Sequence, residues 1–349
     1  MNSENNTLVI LTPGFPETEA DTVCLPMQQS FVRSLKENYP QLKIIILSFQ
    51  YPYFKKTYNW FDIPVISFGG KNKGGLARLL LRRKLNAALK EINSTNKIVG
   101  ILSFWYGECA AVGKKFADKN NTMHFCWILG QDAKKGNKYI RLEADELIAL
   151  SDFLQDEFEK NYGTRPQHVI TPGINTRHLD ASVKEKDINI LGTGSLIPLK
   201  QYEIFLEILT QIKVQLPAVK AMLAGDGPEK EKLQNLIIKY GLEQNIILTG
   251  EVPHDKVLQL MQRSKVFLHP SSYEGFSGVC QEALSAGAHV ISFCRAMKQE
   301  IEHWHIVNNK DEMKQKTLEL LQNPGTTYKS VTPFSMDDTV KKMMDLFAV

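Results

Sequence analysis

The sequence predicts an α/β protein built from two doubly wound domains that face each other across a cleft. Short apolar runs alternate with helix-length amphipathic segments along most of the 349 residues. The runs are apolar on both faces, as strands of a parallel sheet covered by helices on each side must be. A composition of 43% hydrophobic and 23% charged residues excludes a collagen-like or largely disordered chain.

The strand candidates fall into two series. The first series lies in the amino-terminal half, at residues 8–11, 44–47, 65–68, 98–103, 125–129 and 147–150. The second lies in the carboxyl-terminal half, at residues 188–191, 221–224, 246–248, 266–268 and 290–293. Helix-length segments separate most of the runs, which is the spacing that parallel strands require. We therefore expect one doubly wound domain from each series.

The segment between the two series, residues 171–187, has little apolar periodicity and contains Pro172 and Gly173. We place the domain boundary there, with a first domain over 1–172 and a second over 173–333. Residues 334–349 carry apolar side chains at three- and four-residue steps and predict a closing amphipathic helix. Ligands of open parallel sheets bind at the carboxyl ends of the strands, so the loops that follow the strands are the candidates for a site.

Charge and cysteine content exclude several classes of protein. The 42 basic and 38 acidic residues leave a net charge of +4, too small for a dedicated nucleic-acid binder. The five cysteines show no Cys-x-x-Cys spacing, so neither a disulfide framework nor a zinc site is indicated. No apolar run is long enough to span a bilayer and residues 1–7 do not resemble a signal peptide, so we expect a cytoplasmic protein.

Residues 71–90 predict a basic amphipathic helix, since they hold seven basic and no acidic residues. Its apolar stripe comprises Ala77, Leu81, Leu85 and Ala88, and three further leucines, Leu76, Leu79 and Leu80, lie partly outside that stripe. Such a helix is typical either of an ordinary solvated surface or of a contact with an anionic membrane. Both interpretations stay open, and the second would place the protein at the inner face of a membrane.

The first loop with candidate chemistry is residues 192–200, Gly-Thr-Gly-Ser-Leu-Ile-Pro-Leu-Lys, between a predicted strand and a predicted helix. Glycines such as Gly194 let the backbone approach a ligand, the amides at a helix start favour an anion, and Lys200 adds a full positive charge. The loop therefore predicts phosphate binding, although a structural turn explains the same pattern.

Three other loops follow predicted strands and are candidates for the same cleft. Gly225 stands in an Ala-Gly-Asp-Gly-Pro turn that needs no ligand to explain it. In the amino-terminal half, Gly14 lies in the loop after the first predicted strand. Asp132 lies in the segment Gly-Gln-Asp that follows the predicted strand at 125–129.

The most informative loop is residues 269–287, which holds Glu274 and Glu282. Glu274 falls in the loop after a buried strand, and Glu282 falls inside a helix that begins near Ser277 or Gly278 and ends near Gly287. Carboxylates placed in this way can accept hydrogen bonds from sugar or ribose hydroxyls. The alternative is that Glu274 is solvated and Glu282 only complements the helix dipole.

Taken together, the two α/β halves and the three motifs of the second half resemble the retaining glycosyltransferases of family 4, which have the GT-B fold. The motifs are Gly-Ser-Leu-Ile-Pro-Leu-Lys, Ala-Gly-Asp-Gly-Pro and the segment from Glu274 to Glu282, and they occur in this order between residues 192 and 293. The amino-terminal half is similar mainly in layout. The resemblance also implies that the closing helix crosses back to the first domain.

The resemblance implies roles for individual residues. Lys200 would contact the donor diphosphate, Glu282 the ribose hydroxyls, and Glu274 the donor sugar. The full set of donor-binding candidates is Gly14, Gly194, Ser195, Lys200, Gly225, Glu274, Gly275, Phe276, Ser277, Gly278 and Glu282. The catalytic candidates are Glu274, Lys200 and Asp132. No metal and no cofactor are expected, because cationic side chains and helix dipoles can neutralise the leaving group and the nucleotide sugar is itself a substrate.

Two positions depart from the family pattern. Ser195 stands where the family commonly has an arginine, so one charge of the diphosphate clamp is missing. Leu129 stands where many relatives have a histidine, which makes Gln131 or Asp132 the substitute candidate for a sugar contact. Losing one charge-assisted hydrogen bond costs about 1.5 to 3 kcal/mol unless it is replaced.

The function that the resemblance implies is transfer of a hexose from a UDP- or GDP-sugar to a glycan or lipid-linked saccharide, in polysaccharide or glycolipid synthesis. Nucleotide-sugar epimerases and phosphorylases remain enzymatic alternatives on the same fold. A degenerate protein that binds a sugar nucleotide without turnover is the non-enzymatic alternative, and the departures at Ser195 and Leu129 motivate it.

Overall fold

The computed structural model describes residues 6–134, 140–175 and 185–348. They form two compact units. The first unit takes its residues from Met1–Gly173 and Phe334–Val349, and the second takes them from Ile174–Pro333. The division between residues 173 and 174 lies one residue from the boundary drawn at 172 and 173 on the sequence.

The described part of the first unit contains an eight-stranded sheet. Its strands are β1 (Asn6–Gly14), β2 (Lys43–Tyr51), β3 (Lys55–Trp60), β4 (Ile63–Phe68), β5 (Lys97–Phe104), β6 (Met123–Ile128), β7 (Leu147–Ala149) and β8 (His168–Val169). They are ordered β3-β4-β2-β1-β5-β6-β7-β8. All neighbours pair in parallel except β3 and β4, which form an antiparallel hairpin at the edge.

Helices cover both faces of this sheet. They are α1 (Pro26–Asn38), α2 (Gly75–Thr95), α3 (Glu108–Asn120) and α4 (Asp152–Tyr162). On one face, α2 and α3 bury leucines, valine and phenylalanine against β1, β2 and β5. On the other face, Phe31 of α1 packs edge-on against Phe104 and Trp127 of the sheet. The central strands are apolar on both sides because both sides are covered in this way.

The second unit contains a six-stranded parallel sheet in its described part. Its strands are β9 (Ile188–Thr193), β10 (Ala221–Ala224), β11 (Ile246–Gly250), β12 (Ser264–His269), β13 (His289–Ser292) and β14 (Trp304–Ile306). The order is β11-β10-β9-β12-β13-β14. The strand order reverses between β9 and β12, and in open α/β sheets ligands bind at such a switch point, outside the carboxyl ends of the strands.

The helices of the second unit again lie on both faces. They are α5 (Tyr202–Gln215), α6 (Lys230–Lys239), α7 (His254–Gln262), α8 (Gly278–Ser285) and α9 (Lys310–Gln322). One core cluster joins α5, α6 and α9 to the sheet, and a second joins α7 and α8 to the opposite face. The sheet is thereby doubly wound, as the second series of apolar runs predicts.

The last helix, α10 (Met336–Leu346), belongs to the first unit. It buries Met336, Val340, Met343 and Met344. The Ser34 hydroxyl of α1 donates a hydrogen bond of 2.6 Å to Asp337, and the backbone N–H of Gly173 donates one of 2.8 Å to Thr339 Oγ1. These contacts tie the carboxyl-terminal segment to the first unit.

Each of the eleven apolar runs that predict strands coincides with a strand, three of them (125–129, 147–150 and 290–293) extending one residue beyond it, and three strands have no predicted counterpart. The strand β3 is mostly polar and is exposed apart from the half-buried Tyr58 and the buried Trp60, and β8 and β14 are only two and three residues long. The basic helix also differs from its prediction. It spans Gly75–Thr95, and its buried stripe is Leu81, Leu85, Leu89 and Ile92 rather than Ala77 to Ala88.

Candidate active site

The loops after β9 and β12 meet at the switch point of the second sheet. The backbone N–H of Ser272 donates a hydrogen bond of 3.0 Å to the carbonyl of Leu199. One residue further along the first loop, the Lys200 ammonium lies 2.5 Å from Glu274 Oε1. The structure therefore brings the two residues that head the predicted catalytic set into direct contact, although 74 positions separate them in the sequence.

The Lys200–Glu274 pair is part of a larger buried polar group. His269, at the end of β12, lies with Nε2 3.0 Å from the same Glu274 oxygen. Burial would raise the pKa of Glu274, but the hydrogen bond from His269 and the positive charge of Lys200 lower it to about 2. Burial lowers the pKa of His269, so this imidazole is neutral at pH 7 and acts as a hydrogen-bond donor to the carboxylate. The net result is an ionised carboxylate that holds a charged lysine in place.

The β9 loop passes close to the turn after β10. Gly194 has a φ of 142°, in a region that favours glycine, and Gly225 has a φ of 144°. A Cβ atom on Gly225 would lie 2.0 Å from the carbonyl oxygen of Gly194, so no side chain fits there. Hydrogen bonds from Gly194 N to Ala224 O and from Leu196 N to Asp226 O join the two loops. The structure thus gives Gly225 a spacing role that shapes the loop of Lys200.

The helix α8 starts at Gly278, four residues after Glu274 in the sequence. Ser277 precedes the helix without a side-chain cap. The first N–H groups of a helix have no intrahelical acceptor, and they carry the positive end of the helix dipole. The predicted donor-binding residues Gly275, Phe276, Ser277 and Gly278 therefore form the approach to an electropositive helix start. Such a start suits a phosphate group.

Glu282 lies on the second turn of α8 and has a partner that the sequence analysis did not identify. His254, the first residue of α7, lies with Nε2 2.8 Å from Glu282 Oε1. The hydrogen bond to Glu282 raises the pKa of His254 above its usual value, and burial acts in the opposite direction. The side chains of His254 and Glu282 are 44% and 23% exposed, so the pair is accessible to a ligand from solvent.

A cavity of about 350 Å³ opens beside Phe276 in the second unit. Its lining includes Arg295 on the loop after β13 and Trp304 on β14. The thiol of Cys294 is 3.1 Å from the carbonyl of Ser271, which links this loop to the loop of Glu274. Arg295 is an exposed cation at the same edge of the sheet as Lys200, and nothing in its spacing singled it out in the sequence.

The position of Ser195 is exposed on the β9 loop, and its hydroxyl carries no charge for an anion. Behind this loop, the hydroxyl of Tyr202 is buried without a hydrogen-bond partner among the described residues. A Cβ atom on Gly194 would lie 3.0 Å from that hydroxyl. The Tyr202 hydroxyl, which makes no hydrogen bond with the described residues, therefore lies against the loop of Lys200.

Two predicted site residues, Gly14 and Asp132, belong to the first unit. Gly14 ends β1 and accepts a hydrogen bond of 2.7 Å from the Thr12 hydroxyl. Asp132 accepts backbone hydrogen bonds of 2.7 Å from Gly130 and 2.8 Å from Tyr106. Burial raises the pKa of Asp132, although these N–H donors act against that shift. The carboxylate of Asp132 thus links the backbones of the loops after β5 and β6 and stabilises their conformation.

Neither a metal cluster nor a membrane-spanning helix occurs in the described part of the chain. No group of three or more His, Cys, Asp or Glu side chains there is arranged to hold a metal ion. No described helix combines the length and the apolar character needed to cross a bilayer.

Comparison with known proteins places this site in a recognised domain. Residues 175–332 match the family model described as Glycosyl transferases group 1. The gpi3 subunit of phosphatidylinositol N-acetylglucosaminyltransferase from Schizosaccharomyces pombe is 36% identical over 114 residues. The alignment covers 32% of this chain and 25% of the yeast protein, so the similarity spans about a quarter of that relative.

Solved structures are similar over the whole chain. A glycosyltransferase from Rickettsia africae has a TM-score of 0.73 at 16% identity, covering 98% of both chains. HepE from Anabaena, solved in complex with UDP and glucose, has a TM-score of 0.69 at 17% identity and covers 99% of both chains. At these identities the likeness concerns the fold alone, and it confirms the predicted GT-B fold.

Proposed function

Because residues 175–332 match the family model described as Glycosyl transferases group 1, we propose that this chain is a glycosyltransferase that transfers N-acetylglucosamine from UDP-N-acetylglucosamine to a hydroxyl group of a glycan or lipid-linked saccharide. The observation that carries the proposal is the Lys200–Glu274 pair beside the start of α8. The name of the yeast relative supports the choice of sugar, and the UDP complex of HepE supports the choice of nucleotide. We therefore propose a hexosamine donor, a narrower choice than the hexose donor expected from the sequence.

The chemical task is to stabilise a departing diphosphate. The bond between the anomeric carbon and the diphosphate oxygen breaks, and the sugar becomes oxocarbenium-like while negative charge grows on the phosphate. Lys200 supplies a full positive charge, and the N–H groups at the start of α8 supply a partial one. Glu274 holds Lys200 in position before the donor arrives, which lowers the reorganisation needed during the reaction.

The acceptor oxygen then forms the new bond to the anomeric carbon. We propose that it does so on the face from which the diphosphate leaves, so that the configuration is retained. The acceptor proton passes to the departing phosphate oxygen, and no separate protein base is needed. Asp132 is thereby left out of the proposed proton transfer, in keeping with the hydrogen bonds that its carboxylate accepts from the backbone N–H groups of Tyr106, Leu129 and Gly130.

Glu282 serves the nucleotide rather than the chemistry in this proposal. Its carboxylate can accept hydrogen bonds from both ribose hydroxyls, and His254 holds it in orientation from α7. We also propose that turnover is independent of divalent metals, since Lys200 and α8 supply the positive charge that a metal would otherwise provide.

The test is UDP release from UDP-N-acetylglucosamine in the presence of EDTA, followed with and without saccharide acceptors. The Lys200→Ala variant loses a charge-assisted hydrogen bond worth about 1.5 to 3 kcal/mol and should turn over roughly 10- to 100-fold more slowly. Glu282→Gln should mainly raise the KM for the donor. A matched control is Lys310→Ala, which removes a lysine that is ion-paired with Glu207 at 3.0 Å on the helices α9 and α5.

Product analysis separates the alternatives. Conversion of the donor sugar without an acceptor would indicate an epimerase, and a requirement for inorganic phosphate would indicate a phosphorylase. Full activity in both site variants, or loss of activity on chelation, would contradict the assigned roles. Tight UDP binding without any release of UDP from the donor would favour a non-catalytic binding protein.

A further inference from the structure

The helix α2 presents three leucines to solvent at its amino-terminal end. The side chains of Leu76, Leu79 and Leu80 are 79%, 48% and 52% exposed. Large apolar side chains that stand singly on a surface need no explanation, but a group of neighbours does. These three are spaced by three and four residues, which places them on one face of the helix.

The leucine face points away from the protein. At 100° per residue, Leu76, Leu79 and Leu80 lie opposite the buried stripe formed by Leu81, Leu85, Leu89 and Ile92. The helix therefore has two apolar stripes, one packed on the sheet of the first unit and one whose side chains are at least 48% exposed to solvent. A helix that only covers a sheet needs the first stripe alone.

Positive charge surrounds the exposed leucines. No acidic residue occurs in residues 71–90, and five of the seven basic residues there have no carboxylate within ion-pair distance among the described residues. These five are Lys71, Lys73, Arg83, Lys84 and Lys90. The remaining two, Arg78 and Arg82, both approach Glu108 of α3, at 3.6 and 3.0 Å. That contact fixes the rotation of α2, so the leucine face is held outward.

We propose that this face of α2, comprising Leu76, Leu79, Leu80, Arg83, Lys84 and Lys90 with Lys71 and Lys73 beside it, docks the protein onto an anionic lipid surface. The leucines enter the boundary between headgroups and acyl chains, and the cations contact the lipid phosphates. The exposed leucines match the apolar acyl chains of such a surface, and the basic residues on the same side of the helix match its phosphates. The inference does not depend on the proposed reaction.

The charge and the apolar side chains of this face distinguish an anionic bilayer from two other partners, a second copy of the chain and a nucleic acid. A symmetric contact between two copies would bring two unpaired positive faces together, which like-charge repulsion opposes. A nucleic acid would satisfy the cations but would leave the three leucines without an apolar partner. An anionic bilayer satisfies both sets of side chains at once.

The experiment is flotation of the full chain with phosphatidylcholine vesicles that contain either no anionic lipid or about 30 mol% phosphatidylglycerol. We expect binding only to the anionic vesicles, and we expect salt at about 0.5 M to weaken it. Reversal of three charges in R83E/K84E/K90E should lower the affinity roughly a hundredfold, because each basic residue near such a surface contributes about fivefold. The L76S/L79S/L80S variant should lower it about tenfold or more.

Matched controls separate the face from general effects of charge and polarity. The K115E/K119E/K342E variant makes the same change in net charge elsewhere on the first unit, and V214S/I238S/I247S removes three exposed apolar side chains from the second unit. Both should bind like the wild type. Because all substituted residues are exposed, every variant should keep the wild-type melting temperature and circular dichroism spectrum.

Three results would overturn the proposal. The first is equal binding to neutral and anionic vesicles, which would remove the role of charge. The second is wild-type affinity in both α2 variants while they remain folded. The third is absence of vesicle binding together with a dimer that the leucine substitutions dissociate, which would make the face a contact between two copies.

Discussion

Lys200 is held by a carboxylate before any substrate is present. The same Glu274 oxygen, Oε1, accepts hydrogen bonds from the Lys200 ammonium and from His269 Nε2. A buried ion pair of this kind is weak evidence for stability, because the cost of removing both charges from water is comparable to their attraction. Its value lies in fixing the direction of the lysine, which a flexible four-carbon side chain does not do alone.

The low pKa of Glu274 gives a prediction for acid stability. A carboxyl group whose pKa falls from 4.5 to about 2 on folding stabilises the folded state above its usual pKa, and it loses that contribution as the pH falls toward 2. Between pH 6 and pH 3, the wild type should therefore lose on the order of 2 to 3 kcal/mol of unfolding free energy that Glu274→Gln does not lose. Urea unfolding at the two pH values measures the difference.

The control for this measurement is Glu207→Gln, which removes the carboxylate of the ion pair with Lys310 on the surface of the same unit. It should keep the wild-type dependence on pH. A parallel pH dependence in the wild type and in Glu274→Gln would show that the Lys200–Glu274–His269 group does not lower the carboxyl pKa as described.

The sequence predicted some residues of this site and missed others for a physical reason. Lys200, Glu274 and Glu282 lie within short local motifs, so the pattern of neighbouring residues identifies them as candidates. His254 meets Glu282 only because α7 packs beside α8, at a separation of 28 residues, and a single sequence does not report helix packing. The backbone N–H groups that donate to Asp132, a candidate for a sugar contact together with Gln131, likewise depend on how the loops after β5 and β6 fold.

At the scale of elements, α10 depends on a close backbone approach. A Cβ atom on Gly173 would lie 2.0 Å from the carbonyl carbon of Ser335, directly before the helix. A side chain can rotate away from such a clash, but backbone atoms can relieve it only if the segment around Ser335 moves. The Gly173→Ala variant should therefore displace the start of α10 and cost about 1 to 3 kcal/mol.

Hydrogen exchange of the amides in residues 336–346 measures that displacement. We expect faster exchange there in Gly173→Ala, while Gly74→Ala, whose added Cβ meets nothing within 4 Å, should leave it unchanged. Unaltered protection of α10 in Gly173→Ala would mean that the contact between Gly173 and Ser335 does not hold the helix.

Elements were predictable where burial on two faces leaves a continuous apolar run. The strand β3 has no such run, because it lies at an edge with one neighbour and mostly exposed side chains. The buried stripe of α2 was predicted several residues too early for a related reason. Leucines occupy both faces of that helix, so periodicity alone does not say which face packs on the sheet.

At the scale of the whole molecule, two doubly wound sheets occur in one chain, and the second unit contains residues 175–332, which match the family model described as Glycosyl transferases group 1. The strand order of that second sheet places the loops of Lys200 and Glu274 at its switch point. The α/β class and the two series of strands follow from the sequence pattern. The order of strands does not, because it depends on pairings between distant segments.

The central claim is that the second unit binds a nucleoside diphosphate through Lys200 and Glu282. Thermal unfolding of the full chain with UDP, GDP, ADP or CMP tests it most directly. A ligand at about a hundred times its dissociation constant adds roughly 2.7 kcal/mol, which raises the midpoint by about 5 to 10 °C. We predict such a rise with UDP, and its loss in Glu282→Gln but not in Glu207→Gln. A midpoint that no nucleotide moves would contradict the account.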